Sequence, residues 1–313
     1  MKTFTWRSDG TAALLATALI LCQWSPARNV GLAFADHNLG GGATNFYPDF
    51  ADLLVTHAFY TNIVKAMRAR STNLAIVYYK LWCREGAVEA DHGLGNYVYM
   101  SNQGEGWFLH FNDGFPATVT NRLRDDSDPA GYTFPNVYFH FGNAAVRSYV
   151  SAWLTNDLRT NTNFDGVFLD VCNLIGTAST PAIGGATVQE YPTATAWNTD
   201  MLAWFKAVSD AITGFNSAFP ARRLRRYFNT TADIRLIDLS IMTQANAFAD
   251  GQLWENWGGS YFYNTAARYH APSVWEKHVQ CAEDAAARGR GLVAFGMYKN
   301  DVSNDIVHDL AYG

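Results

Sequence analysis

Charge is scarce in this sequence: Asp, Glu, Lys and Arg make up 16% of its 313 residues, against 49% hydrophobic residues. That balance excludes a disordered chain and allows a sizeable core. A long basic tract is also missing. The net charge is −5, and the one cluster of like charge is Arg222, Arg223, Arg225 and Arg226. It is too short for a nucleic-acid groove, so no nucleic-acid partner is expected; it reads as a solvated helix end leading into a strand. Cysteines are few: Cys22, Cys83, Cys172 and Cys281. They form no CxxC pair and have no His at metal-ligand spacing, so buried free thiols are expected rather than a zinc site. Gly40-Gly41-Gly42 lacks both the Lys-Ser/Thr of a P-loop and the spaced glycines of a dinucleotide fold. There is no GxSxG elbow and no HExxH. Internal repeats, low-complexity tracts and linkers are absent too. One large barrel is the simpler organisation for a chain of this length.

Aromatic residues, in contrast, are plentiful, with 10 Trp and 16 Tyr. They suit stacking on sugars and equally suit a large core. Residues 1–27 resemble a secretory signal: Lys2 and Arg7 precede an apolar stretch, 12–22, and Ser25-Pro26-Ala27 offers a small-x-small cleavage site. The stretch is too short for a membrane span, so no stable membrane insertion is expected. Secretion is the expectation. The alternative is an N-terminal helix covering one end of the domain in a cytoplasmic protein. Residues 28–313 then form the barrel domain.

Eight short apolar runs read as strands: 28–35, 52–58, 73–81, 136–141, 165–170, 225–230, 250–255 and 291–298. Most are continuous rather than alternating, as strands buried on both faces require. Helical stripes separate several of them. Asn143 is placed to cap a helix carrying Val146, Tyr149, Val150, Trp153, Leu154 and Leu158. Trp197, Met201, Trp204, Val208 and Ile212 form a second stripe. Ser273 and Glu276 form a capping box before a third stripe of Trp275, Val279, Ala282 and Ala286, with Gly289 at its end. Strands alternating with helices predict a single-domain (β/α)8 TIM barrel. The weak link is 44–51, which allows barely two helical turns. Helix-to-strand connections are short, whereas about 55 residues follow the third strand and about 25 follow the fifth. The long loops therefore emerge at the C-terminal face, where barrel active sites lie.

The sharpest chemical signal is Phe164-Asp165-Gly166-Val167-Phe168-Leu169-Asp170. Five residues of strand separate the two aspartates by about 16 Å. Asp165 falls at the N-terminal end, where a turn or stability role is expected. Asp170 falls at the C-terminal face, where a carboxylate ending an apolar strand is costly unless used or paired. Glu255 ends strand seven in a mirrored position. Two carboxylates on one barrel mouth, from strands two apart, fit the ~5–9 Å separation of a glycosidase pair. One attacks the anomeric carbon or activates water; the other protonates the leaving oxygen. Apolar neighbours, Trp254 and Trp257, suit Glu255 to the acid role by raising its pKa. The parity of this strand stays open: either Leu253 and Glu255, or Gln252 and Trp254, face inward. His57, Tyr79, Lys80, His140 and Asn229 also end strands on this face, with Asn173 just beyond strand five; they form a candidate ring for sugar hydroxyls, and Trp254 and Trp257 are further substrate-binding candidates. Asn229-Thr230-Thr231 matches a glycosylation sequon, which its place at the mouth argues against.

Four segments in order resemble successive strand ends of a known family: Asp52-Leu53-Leu54-Val55-Thr56-His57, the run from Phe164 to Asp170, Tyr227-Phe228-Asn229, and Asp250-Gly251-Gln252-Leu253-Trp254-Glu255. The family is a glycoside hydrolase family with a (β/α)8 barrel, near the endo-α-1,4-polygalactosaminidase-like hydrolases. The resemblance implies a catalytic Asp at the position of Asp170 and a catalytic Glu at that of Glu255. It departs at His140, where relatives often carry an acid.

The sequence therefore leads to hydrolysis of O-glycosidic bonds in a polysaccharide, without metal or organic cofactor. Asp170 is the expected nucleophile or base and Glu255 the general acid. The rival is a non-catalytic carbohydrate-binding or structural barrel in an extracellular or virion assembly.

Overall fold

The computed structural model describes residues 17–21, 31–35, 39–40, 42–81, 84–85, 94–125, 136–183, 185–231, 237–255 and 271–295. The strands are β1 (Thr17–Leu21), β2 (Gly31–Ala35), β3 (Leu53–Thr56), β4 (Ala75–Leu81), β5 (Arg84–Glu85), β6 (Arg124–Asp125), β7 (Asn136–Tyr138), β8 (Gly166–Asp170), β9 (Ala182–Ile183), β10 (Ala186–Thr187), β11 (Arg225–Thr231), β12 (Gly251–Glu255) and β13 (Gly291–Phe295). The helices are α1 (Ala43–Phe50), α2 (Thr61–Arg70), α3 (Tyr97–Ser101), α4 (Ala144–Thr160), α5 (Ala194–Ala218), α6 (Leu239–Asn246) and α7 (Pro272–Ala287).

The chain builds a mixed α/β fold around one curled sheet of order β1-β13-β12-β11-β8-β4-β3-β2. From β2 round to β13 every neighbouring pair is parallel. β1 bridges the two parallel edges and pairs antiparallel with both β2 and β13. This departs from the regular eightfold βα repeat at two places.

The run 136–141 does not enter the curled sheet. β7 pairs antiparallel between β5 and β6 in a separate three-stranded sheet, and Phe139 bridges antiparallel to Phe108. Loop segments occupy both of its edges: Leu109 N donates to Tyr138 O, Tyr138 N to Leu123 O, and His140 N to Trp107 O. β4 therefore pairs directly with β8, Tyr79 opposite Phe168 and Leu81 opposite Asp170. The second departure is β1, which lies inside the apolar stretch 12–22. Residues 17–21 are a strand and not the helix considered for that segment; the rest of 1–27 lies outside the described residues.

Alternation along the strands sorts the core into two layers. Ala33, Leu53, Val55, Ala75, Val77, Phe168, Tyr227 and Leu253 cluster on the concave side. The intervening residues, among them Leu54, Ile76, Tyr78, Val167, Leu169, Phe228 and Trp254, join the larger core beneath the helices. Gly166 is needed for the tight approach of β8 to β11, since a Cβ there would fall onto the Arg225 backbone.

Helix faces follow the expected stripes in two cases. Asn143 and Thr193 cap α4 and α5, accepting from Ala145 N and Ala196 N. The stripe Trp197, Met201, Trp204, Val208 and Ile212 is buried throughout. α7 differs. It opens at Pro272 with no side-chain cap, so the Ser273/Glu276 box does not form. Its buried face is His278, Cys281 and Ala285, one position round from the expected stripe. Partners across the interface decide this: His278 stacks on Trp254, and Asn246 donates to Cys281 O and Asp284.

The Arg222–Arg226 cluster is more than a solvated end. Arg222 donates to the carbonyls of Asn161 and Phe164, and the buried Arg226 pairs with Asp250. Cys172 and Cys281 are buried free thiols; burial pushes Cys281 up to about 12. Among the described residues no helix is long and apolar enough to cross a membrane.

Candidate active site

Asp170 ends β8 at the edge of the sheet from which the long loops leave. Its side chain belongs to the parity of Phe168, which lies in the concave cluster. Two strand neighbours hold the carboxylate. Tyr79 on β4 donates its hydroxyl to Oδ2 at 2.6 Å, and Asn229 on β11 donates Nδ2 to Oδ1 at 2.7 Å. The backbone N–H of Val171 adds a third bond to Oδ1, at 2.8 Å. Both oxygens thus accept hydrogen bonds from the protein. Directly after it, Val171 has φ +59°. A β-branched residue in the left-handed region is strained by ~1–3 kcal/mol, and such strain concentrates at functional sites.

His57 follows β3 and completes the wall. It is 4% exposed, meets Tyr79 edge-on at 5.0 Å and stacks on Phe59 at 5.0 Å. Tyr79 in turn lies nearly parallel to Phe168. The structure thus brings together four residues singled out in the sequence: Asp170, Tyr79, Asn229 and His57.

Glu255 is the last residue of β12, in register with Phe295 of β13. Strand parity is fixed two residues earlier. Leu253 lies in the concave cluster, while Gln252 and Trp254 are buried on the helix side. Between β12 and β8 stands β11, where Asn229 pairs with Leu253.

Other candidates fall elsewhere. Trp254 is fully buried against α7 and not in the mouth, stacked on His278 at 5.4 Å. Lys80 is likewise fully buried on the helix side, 3.6 Å from Asp157 of α4 and over the rings of Tyr78 and Trp153. Each is one residue out of phase with a concave neighbour, and strand alternation turns it away. His140 follows β7, so it leaves with that strand; Nδ1 lies 3.3 Å from Gly106 O and its ring meets Tyr191 edge-on. Burial there pushes its pKa down. Asn173 sits three residues beyond β8 and accepts Trp197 Nε1 on its carbonyl. Trp257 lies outside the described residues.

One polar cluster was not foreseen. His110 is buried, with Nδ1 2.6 Å from Glu190 Oε1 and Nε2 3.2 Å from Glu105 Oε2. Glu105 also takes a bidentate pair from the buried Arg122, at 2.8 and 2.6 Å, which holds its carboxyl below the ordinary range. Glu190 accepts from His110 N as well. The cluster staples the loop after β4 to the loop after β8, beside the backbone bond from Asn112 N to Thr187 O. Its one sequence cue is a histidine and charges set among Phe108, Leu109 and Phe111. Partners 80 residues apart give no periodic signal. Among the described residues no group of three or more His, Cys, Asp or Glu is arranged to hold a metal.

No family model and no curated protein matches the chain. Solved structures do. A cycloisomaltooligosaccharide glucanotransferase from Paenibacillus sp., complexed with cycloisomaltoheptaose, is similar with TM-score 0.51 and 9% identity over 81% of this chain and 36% of that one. The catalytic domain of a β-amylase from Paenibacillus polymyxa has TM-score 0.42 and 10% identity, over 82% of this chain and 83% of that one. A glycoside hydrolase family 18 N-acetylglucosaminidase from Paenibacillus barengoltzii has TM-score 0.40 and 10% identity, over 81% and 63%. The chain spans a little over a third of the glucanotransferase (36%), and at 9% identity that likeness is one of fold. The two looser likenesses add no argument.

Proposed function

We propose that this protein is a glycoside hydrolase of TIM-barrel type acting on a polysaccharide, near the endo-α-1,4-polygalactosaminidase-like hydrolases. Asp170 serves as nucleophile or base and Glu255 as general acid. The observation that carries this reading is the carboxylate of Asp170, fixed at the C-terminal edge of a parallel sheet by Tyr79, Asn229 and Val171 N. A group held this way needs no reorganisation to meet an anomeric carbon or a water. Glu255 ends a strand two places along the same sheet edge, a placement compatible with the ~5–9 Å carboxylate separation of a glycosidase pair. Asn229, on the strand between those of Asp170 and Glu255, is suited to hold a sugar hydroxyl. Residues 17–21 of the signal-like segment pair as β1 with both β2 and β13, so its removal as a secretory signal would open the curled sheet.

A panel of polysaccharides assayed for new reducing ends tests the reading. Wild type is expected to cleave at least one, while Asp170→Asn and Glu255→Gln each lose on the order of 10³-fold in rate. Retained hydrolysis in both variants sinks the assignment. A second reading, a carbohydrate-binding barrel without catalysis, is favoured by the fact that protein donors occupy both oxygens of Asp170. Glycan binding with no cleavage by wild type would decide for it.

A further inference from the structure

The aromatic wall beside Asp170 does not end inside the protein. From the carboxylate it runs through Tyr79 to His57 and then to Phe59, in the single turn that follows β3. Along that order Tyr79 is half-buried, His57 is buried, and Phe59, at the outer end, is 52% exposed. Scattered surface aromatics need no explanation. Phe59 is different, because its ring is held nearly parallel to His57, 9° apart with centroids at 5.0 Å, and His57 is itself wedged on Tyr79. Orientation is therefore set from the carboxylate outward. A flat ring so fixed at a mouth is suited to the apolar C–H face of a pyranose, since aromatic side chains offer large, rigid contact area at low entropic cost.

We propose that Phe59 is the stacking platform for a sugar ring in the subsite next to Asp170, with His57 as the positioning residue that sets its plane. The proposal rests on the glycoside reading above and names a specificity-determining residue for it. Stacking selects sugars that present an unbroken C–H face, so Phe59 acts on binding more than on bond cleavage.

The test uses the full chain carrying Asp170→Asn, so that binding is read without turnover. It is probed on an array of α- and β-linked neutral and amino-sugar oligosaccharides. At least one class is expected to bind. Adding Phe59→Ala or Phe59→Leu is expected to weaken that binding about tenfold, and Phe59→Trp to preserve it. Leu keeps an apolar side chain, so its loss cannot be assigned to misfolding of an alanine variant. In an otherwise wild-type background, Phe59→Leu is expected to raise KM with little change in kcat. Undiminished binding by both the Ala and Leu variants overturns the platform and leaves the glycoside reading standing. If neither the Asp170→Asn parent nor wild type binds any glycan, the glycoside reading falls and the platform with it.

Discussion

Three aspartates mark the two edges of the curled sheet, and the edges treat them differently. Asp165, just before β8, is bound by Arg68 and by Ile76 N. Asp250, just before β12, meets Arg226 and Arg290 and accepts from Arg226 N. Asp170, at the far end of β8, is met by a phenol, an amide and a backbone N–H. Arginine neutralises a carboxylate and locks two elements together, a structural use. Neutral donors fix a carboxylate in space without setting a countercharge against it. The same residue type on one sheet thus holds the fold at one edge and, on the proposed reading, serves the chemistry at the other.

The sharpest way to break this contrast is to neutralise one aspartate from each edge. Asp170→Asn is expected to abolish glycan hydrolysis, on the order of 10³-fold, with a melting temperature near that of wild type. Asp250→Asn is expected to cost about 3 kcal/mol, because it leaves Arg226 buried with no carboxylate opposite, and to leave the rate per folded molecule unchanged. Denaturant titration and initial rates on the same preparations separate the two. A catalytic defect in Asp250→Asn, or a large stability loss in Asp170→Asn, would dissolve the distinction.

The two edges also differ in how much the sequence discloses. Asp170 was legible because a lone carboxylate closes an apolar run, and its place in that run fixes its edge. Trp254 and Lys80 were not, because a strand apolar on both faces carries no mark of which face is concave. That choice is made by α7 and α4, where His278 and Asp157 wait. His140 was misplaced for a different reason. Its run has strand composition, yet the hydrogen bonds that remove it from the sheet come from 107–109 and 123, which no local pattern foretells. The long loops were visible as lengths, but not the Glu105–His110–Glu190 staple that joins them.

That staple sharpens the comparison, for it shows arginine pairing also on the loop side. Arg122 is 2% exposed and bound to Glu105 through two nitrogens. Glu105 is shifted down, first by that hydrogen bond. A carboxylate depressed in the folded state stabilises above the ordinary carboxylate range, and the contribution is lost as pH falls through its folded value. Glu105→Gln is therefore expected to cost about 2–3 kcal/mol near neutrality. The gap from wild type should close as the pH is taken below the usual carboxylate range. Denaturant titrations of both proteins at pH 7 and in acid check it; a gap that is constant or widens in acid would mean that the pair does not stabilise the loops.

The smallest effect concerns the residue that aims Asp170. Val171 is the one non-glycine residue of positive φ among those described, and its N–H closes the third bond to the carboxylate. Asparagine tolerates the left-handed region far better than a β-branched side chain. Val171→Asn should therefore relieve strain and stabilise the fold by about 0.5–1 kcal/mol, offset in part by lost apolar packing. Asparagine keeps the same backbone with less strain, so the N–H bond to Oδ1 is retained and kcat is expected to stay within about twofold of wild type. A variant that becomes more stable but loses kcat several-fold would show that the strain itself serves the site. One that loses both would show that packing of the valine methyls, and not its backbone, is what the position requires.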